Sequence, residues 1–337
     1  MKTVDARKFP FDVVGLGVCA VDFLCRLPHY PKLDEKTELM QCSMQGGGPV
    51  PTALVTLARL GARVSYVGKV GSDEGGRFVK ESLEREGVDT QGLVVAPGVR
   101  TSRAFVWVDG PSGLKSIAAD RTGLENLRPD ELSSQLVKAG RYLLIDGKET
   151  DAALKAAEWS HQVGAEVVLD VGNRRSQMEQ LLRLTDYLVV SEGFALSFGQ
   201  TEDQEVAARA LFRFGPKVVV VTLGHLGSLC LSREDLFRQQ AFSVPVIDTT
   251  GAGDVFHGAF IYGLLRDWGL RFIVRFASAV AAMKCGQLGG RAGIPTLSQA
   301  EEFLSGHSPG PAGLQGDKRA PDELSDPSVQ KSGSAEE

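Results

Sequence analysis

Ile247-Asp248-Thr249-Thr250-Gly251-Ala252-Gly253-Asp254 is the stretch best equipped for chemistry, and the small, apolar residues from about Val255 to Arg266 predict a helix directly behind it. A glycine-rich turn that opens a helix leaves backbone N–H groups without partners, with the positive end of the helix dipole behind them. Such amides hold anions. Gly251 and Gly253 have no side chain to block approach, so a phosphate or its transition state can sit against the amides of Gly251, Ala252 and Gly253. Asp254 falls at the mouth of that cradle, where a carboxylate can take the proton from an attacking hydroxyl. The alternative is a plain N-terminal helix cap, a common duty for Asp. For an isolated Gly-x-Gly-Asp the two readings are about even; the whole eight-residue string favours the catalytic one. His257, three residues on, reaches the same helix face and is read as packed rather than catalytic.

Short β-branched runs alternate with helical patterns from about Asp12 onward: Arg63–Val67 then Glu74–Glu86, Tyr142–Ile145 then Asp151–His161, Glu166–Asp170 then Met178–Leu184. Tyr187–Val190 and Val218–Thr222 read as further central strands, their unbroken apolar character suiting burial on both faces. The expected fold class is α/β, a doubly wound, mainly parallel sheet flanked by helices. Two segments break the rhythm, Val21–Met44 and Thr101–Ala118 with its turn at Asp109–Gly113, where polar and apolar residues alternate. They are expected to form a small antiparallel sheet, with strands from about 19–45 and 100–120, standing off the main domain as a lid that excludes water. The whole folded domain is placed at 11–304, and the Gly-, Pro- and Ser-rich stretch 305–337 has almost nothing to bury and reads as a disordered tail.

Composition narrows the function. The 337 residues carry a formal net charge of −5 with no basic block, so nucleic acid is not an expected partner. The apolar stretches around Lys217–Leu231 and Phe272–Cys285 are broken by charges or glycines, so neither a membrane span nor membrane association is expected, and the N-terminus lacks a signal-peptide core. Cys19, Cys25, Cys42, Cys230 and Cys285 show no Cys-x-x-Cys spacing and lie mostly in apolar runs. Buried free thiols and a cytoplasmic location follow as expectations. A dinucleotide-binding Rossmann site is disfavoured because GLGVCA, after the first strand, lacks the third glycine.

DTTGAGD followed by VFHGAF resembles the C-terminal motif of the ribokinase-like (PfkB) sugar kinases, and Gly46-Gly47-Gly48-Pro49-Val50-Pro51-Thr52-Ala53 resembles their N-terminal motif. The resemblance covers about residues 11–304 and implies an ATP-dependent kinase that phosphorylates a hydroxyl of a small sugar, with ATP and Mg2+ required. It implies Asp254 as base, Gly251, Ala252 and Gly253 as anion hole, and Asp22 as the lid-side carboxylate that holds a vicinal diol. Gly46, Gly47 and Gly48 match glycines that let sugar approach the backbone, and Thr52 stands where relatives commonly have Asn. Thr222, Gly224 and Gly227 match a Thr-x-Gly-x-x-Gly turn along the nucleotide. Ser191-Glu192 partly matches an Asn-x-x-Glu element, with Phe194 in place of the second acid, so Glu192 is expected to act through water. Asp248 and Thr250 match a monovalent cation site, K+ in many relatives, or serve as ordinary turn residues.

The sugar is less legible. FHGAF, VRFASAVAAMKCGQLGGRAGIP and GGGPVPTAL look most similar to sulfofructose kinases, and Lys36 matches a lysine those enzymes place near an anionic substrate end. Asp120-Arg121 with the IDGK stretch resembles ketohexokinase-like relatives. A ketose or related sugar is the expectation; sulfofructose, a sugar phosphate, a nucleoside, or a silent sugar-binding role stay open. Lys36, Arg103, Arg121 and Lys148 are the candidate contacts to an anionic substrate, or else ordinary surface charges. The exposed edges of the lid sheet suggest a homodimer formed through it.

Overall fold

The computed structural model describes residues 9–172 and 176–307, so the tail expected at 305–337 lies outside the described residues except for its first three positions. Strand β1 (Phe11–Leu16) leads out to β2 (Ala20–Leu27) and β3 (Gln41–Gly47), and helix α1 (Pro49–Arg59) returns the chain to β4 (Val64–Gly71). Helix α2 (Glu74–Arg85) and β5 (Asp89–Ala96) are followed by the hairpin β6 (Arg103–Asp109) and β7 (Lys115–Asp120). After α3 (Ser134–Val137) come β8 (Gly140–Ile145), α4 (Thr150–Val163), β9 (Glu166–Val171), α5 (Met178–Arg183), β10 (Tyr187–Ser191), α6 (Glu192–Gly199) and α7 (Gln204–Phe212). The chain closes with β11 (Val218–Thr222), β12 (Ser228–Ser232), β13 (Leu236–Gln239), α8 (Ala252–Leu265), α9 (Leu270–Lys284) and α10 (Leu297–Gly306).

The main sheet has nine strands in the order β13-β12-β11-β10-β9-β8-β1-β4-β5, parallel except at β11/β12 and β12/β13. Alternate residues of each strand feed two cores. Val13, Leu144, Val168 and Val189 face α1, α8, α9 and α10, whereas Val14, Leu143, Val167 and Leu188 face α3 to α7. Every residue of α8 from Val255 to Leu264 is buried, so this helix is held on all sides and its N-terminus is fixed in place.

Chain direction reverses its walk across the sheet at β1 and β8, the kind of crevice where α/β sheets take ligands. The carboxyl ends of these two strands are tied together, the Val18 amide donating to Asp146 Oδ2 at 2.9 Å. The lid rises from this edge as a four-stranded sheet, β3-β2-β6-β7. Its outer pairs are antiparallel as expected, but its central pair β2/β6 runs parallel. The reason lies below it: β2 continues from β1 and β6 from β5, two strands that leave a parallel sheet at the same edge. The inner lid face, Leu24, Ala104, Val106 and Val108, packs on Ile247 and Leu288. Its outer face leaves Phe105, Trp107 and Met44 exposed.

Candidate active site

Gly251 caps α8 in the left-handed conformation, φ 75°, and a Cβ there would lie 2.8 Å from Gly290 Cα, so both backbone shape and space require glycine. Ala252, Gly253 and Asp254 form the first turn. The Ala252 amide reaches back to the Thr249 carbonyl at 3.3 Å, while those of Gly251, Gly253 and Asp254 find no acceptor among the described residues. Of the cradle expected on Gly251, Ala252 and Gly253, the amides of Gly251 and Gly253 are open and that of Ala252 is engaged, with Asp254 adding a further open donor. Asp254 is partly exposed at this mouth. One turn on, His257 is buried, with Nδ1 facing the Gly253 carbonyl at 2.7 Å, Nε2 facing that of Val189 at 3.0 Å, and Asp170 at 3.5 Å. It braces the cradle against β10, in keeping with a packed residue.

Asp22, on β2, faces the same space from the lid. Burial pushes its carboxyl up to about 7, opposed by Arg291 and Lys148 and reinforced by the charge of Asp254. The three glycines opposite it make room for protein atoms as much as for a ligand. A Cβ on Gly47 would stand 2.1 Å from both Asp22 carboxylate oxygens, one on Gly46 2.6 Å from an Arg291 nitrogen, and one on Gly48 2.3 Å from the Val18 carbonyl. Gly48 also needs φ 104° to start α1. Thr52 is buried in the first turn of α1.

The four basic candidates divide. Lys148, just beyond β8, bears electrostatically on Asp22, Asp146 and Asp170 and has no ion pair among the described residues. Arg103 turns to Asp73 at 3.8 Å, and Arg121 pairs with buried Glu149 at 2.8 Å. Both guanidinium groups are already engaged within the protein. Lys36 lies exposed in the loop between β2 and β3.

The nucleotide-side residues share the next edge of the sheet. Thr222 ends β11 beside Ser191 of β10 and donates from its hydroxyl to the Val190 carbonyl at 3.1 Å. Gly224 (φ 59°) and Gly227 (φ 98°) shape the turn to β12, where a Cβ on Gly227 would meet the Gln239 carbonyl at 1.9 Å. Ser191 caps α6 by accepting from the Phe194 amide, and Phe194 is buried in the core, which accounts for an aromatic where an acid was sought. Glu192 accepts from Gln204 Nε2.

Asp248 is fully buried, its carboxylate accepting from the amides of Thr250 and Gly289, each at 2.7 Å. Its carbonyl oxygen accepts from Lys284 Nζ at 2.8 Å. This donor set does not fit a bound monovalent cation: both carboxylate oxygens and the carbonyl are engaged, and the unpartnered Thr250 hydroxyl alone is no coordination shell. Burial lowers the Lys284 ammonium, with Asp248 opposing.

The model of the pfkB family of carbohydrate kinases matches residues 12–297. The chain belongs to this family. It is 27% identical to a 5-dehydro-2-deoxygluconokinase of Geobacillus kaustophilus, over 90% of this chain and 96% of that one. It is 30% identical to a probable fructokinase-3 of Arabidopsis thaliana, over 87% and 91%. The structure superposes on a putative ribokinase from Agrobacterium tumefaciens with a TM-score of 0.80, at 27% identity over 87% and 96% of the two chains. The ribokinase-like α/β fold with its separate small sheet is thus established, and the protein is an ATP-dependent carbohydrate kinase.

Two charged residues of this pfkB site escaped the motifs. Arg291 is buried, donating to the Gly47 carbonyl and to Ser82, both at 3.4 Å, and burial lowers its guanidinium to about 10 against the pull of Asp22. Lys284 is the other. Both stand in KCGQLGGRAG, where a basic residue amid apolar and glycine neighbours is the signal that was available.

Proposed function

We propose that this kinase transfers the γ-phosphoryl group of ATP to a hydroxyl of a ketose or related sugar, with Asp254 as base. The observation that carries the reading is the pairing of a partly exposed carboxylate with unpartnered amides at the fixed start of α8. Asp254 takes the proton of the attacking hydroxyl, and the open amides of Gly251, Gly253 and Asp254 with the helix dipole hold the charge that develops on the phosphoryl group. Asp22 orients the sugar by accepting from its hydroxyls, and the charge of Arg291 favours its ionised form. Magnesium supplies charge neutralisation on the phosphates when bound. Glu192, the residue suited to meet it through water, keeps one oxygen on Gln204. Thr222, Gly224 and Gly227 line the nucleotide side.

An anionic sugar is the second reading, favoured by the ammonium of Lys148, which has no ion pair among the described residues and bears electrostatically on Asp22. A sugar acid fits it, as do sulfofructose and sugar phosphates. ATP consumption screened across neutral ketoses, sugar acids, sulfosugars, sugar phosphates and nucleosides tests both, with Asp254→Asn as control. Turnover on the best sugar is expected to fall by about 10²–10⁴-fold in that variant, with the melting temperature little changed. Wild-type turnover in Asp254→Asn defeats the assignment. The outer lid face, with Phe105, Trp107 and Met44 exposed, supports a homodimer through the lid.

A further inference from the structure

Lys284, the last residue of α9, is wholly shielded from solvent, a rare state for a lysine. Its one hydrogen bond among the described residues is to the Asp248 carbonyl, at 2.8 Å. That carbonyl belongs to the turn that leads, three residues later, into the phosphate cradle. The same turn is tied to the end of α9 by the amides of Ile247 and Asp248, which donate to the Cys285 carbonyl at 2.8 and 3.2 Å. The Asp248 carboxylate and the negative end of the α9 dipole would otherwise put uncompensated negative charge behind a turn whose task is to attract an anion. The ammonium cancels it.

We propose that the ε-ammonium of Lys284 is a tethered substitute for a soluble monovalent cation behind the phosphate turn, so that this kinase works without potassium. A second cation cannot share the Asp248 carbonyl with the ammonium that sits 2.8 Å from its oxygen, because two like charges held on one oxygen repel strongly in a buried site. The role is one of positioning, since Lys284 acts through the turn and not on the sugar or nucleotide. It rests on the phosphoryl-transfer reading of residues 247–254, which the Asp254→Asn variant tests separately.

The test compares wild-type enzyme in potassium, sodium and choline chloride at equal ionic strength and fixed magnesium. Turnover and melting temperature are expected to be the same in all three, and the melting temperature is informative whatever Asp254 does. Saturable activation by potassium, or a potassium-dependent rise in melting temperature, overturns the proposal. Lys284→Ala is expected to lose about tenfold in turnover in choline, less than the loss of a direct oxyanion donor, and to recover in potassium or ammonium chloride, whose ions fit the vacated space. Full turnover of this variant in choline, or a loss that neither ion restores, also overturns it. If Lys284→Ala does not fold, the wild-type comparison decides alone.

Discussion

Burial raises the Asp22 carboxyl to about 7 from an ordinary 3.8, Arg291 pulls it down, and the neighbouring Asp254 pushes it up again. Between those two values the folded chain keeps a proton that the unfolded chain has already released. Stability therefore falls as pH rises across that window, and Asp22→Asn should flatten the slope in pH-dependent melting. Only the ionised form accepts freely from two sugar hydroxyls, one on each oxygen, because protonation turns one of those acceptors into a donor. The KM for sugar should accordingly drop by about tenfold between pH 6 and pH 8, as the ionised fraction climbs from about a tenth to nine-tenths. A KM that is flat over that range removes Asp22 from the sugar site. At this scale the sequence pointed to Asp254, Asp22 and the glycines because they sit in local strings. It hid Arg291 and Lys284, whose partners Gly47 and Asp248 lie 244 and 36 residues away. It also could not show that Glu149 and Asp73 had claimed Arg121 and Arg103.

Among the elements, β3 and α1 meet in the run Gly46–Gly48, where packing leaves no room for a side chain. Gly47→Ala drives a methyl into the Asp22 carboxylate, 2.1 Å away, and should raise the KM for sugar by about tenfold or more while affecting kcat less. An unchanged KM would mean that Asp22 can turn aside without cost. Strands and helices of the main domain were readable from periodicity, since β4, β8, β10 and β11 are apolar runs buried on both faces. The parallel pairing of β2 with β6 was not. Alternation fixes which face of a strand is apolar, but direction is inherited from the strands that feed the lid. Cys42, expected among buried thiols, is exposed on β3 because it sits on an edge strand of the lid, on the face of Trp107.

For the molecule as a whole, the apolar outer face of the lid sets the expected assembly. Phe23 stacks on Phe105, centroids 5.4 Å apart, and Trp107 continues the stripe along β6. Light scattering should give twice the chain mass for wild type and a single chain mass for Phe105→Glu with Trp107→Glu; a monomeric wild type sinks the expectation. No helix among the described residues is long and apolar enough to cross a membrane. The lid also reaches the phosphate turn directly. Thr249 donates from its amide and hydroxyl to the Gly113 carbonyl at 3.1 and 3.2 Å, and Lys115 Nζ donates to the Thr249 carbonyl at 3.2 Å. Cover and seat are thus latched through one threonine. Lifting the hairpin β6/β7 strips three bonds from the residue that steadies the seat, so an unlatched enzyme loses floor and roof together. A nucleotide waiting in an uncovered cleft would then meet a slackened floor, and its loss to water is expected to be slow for that reason.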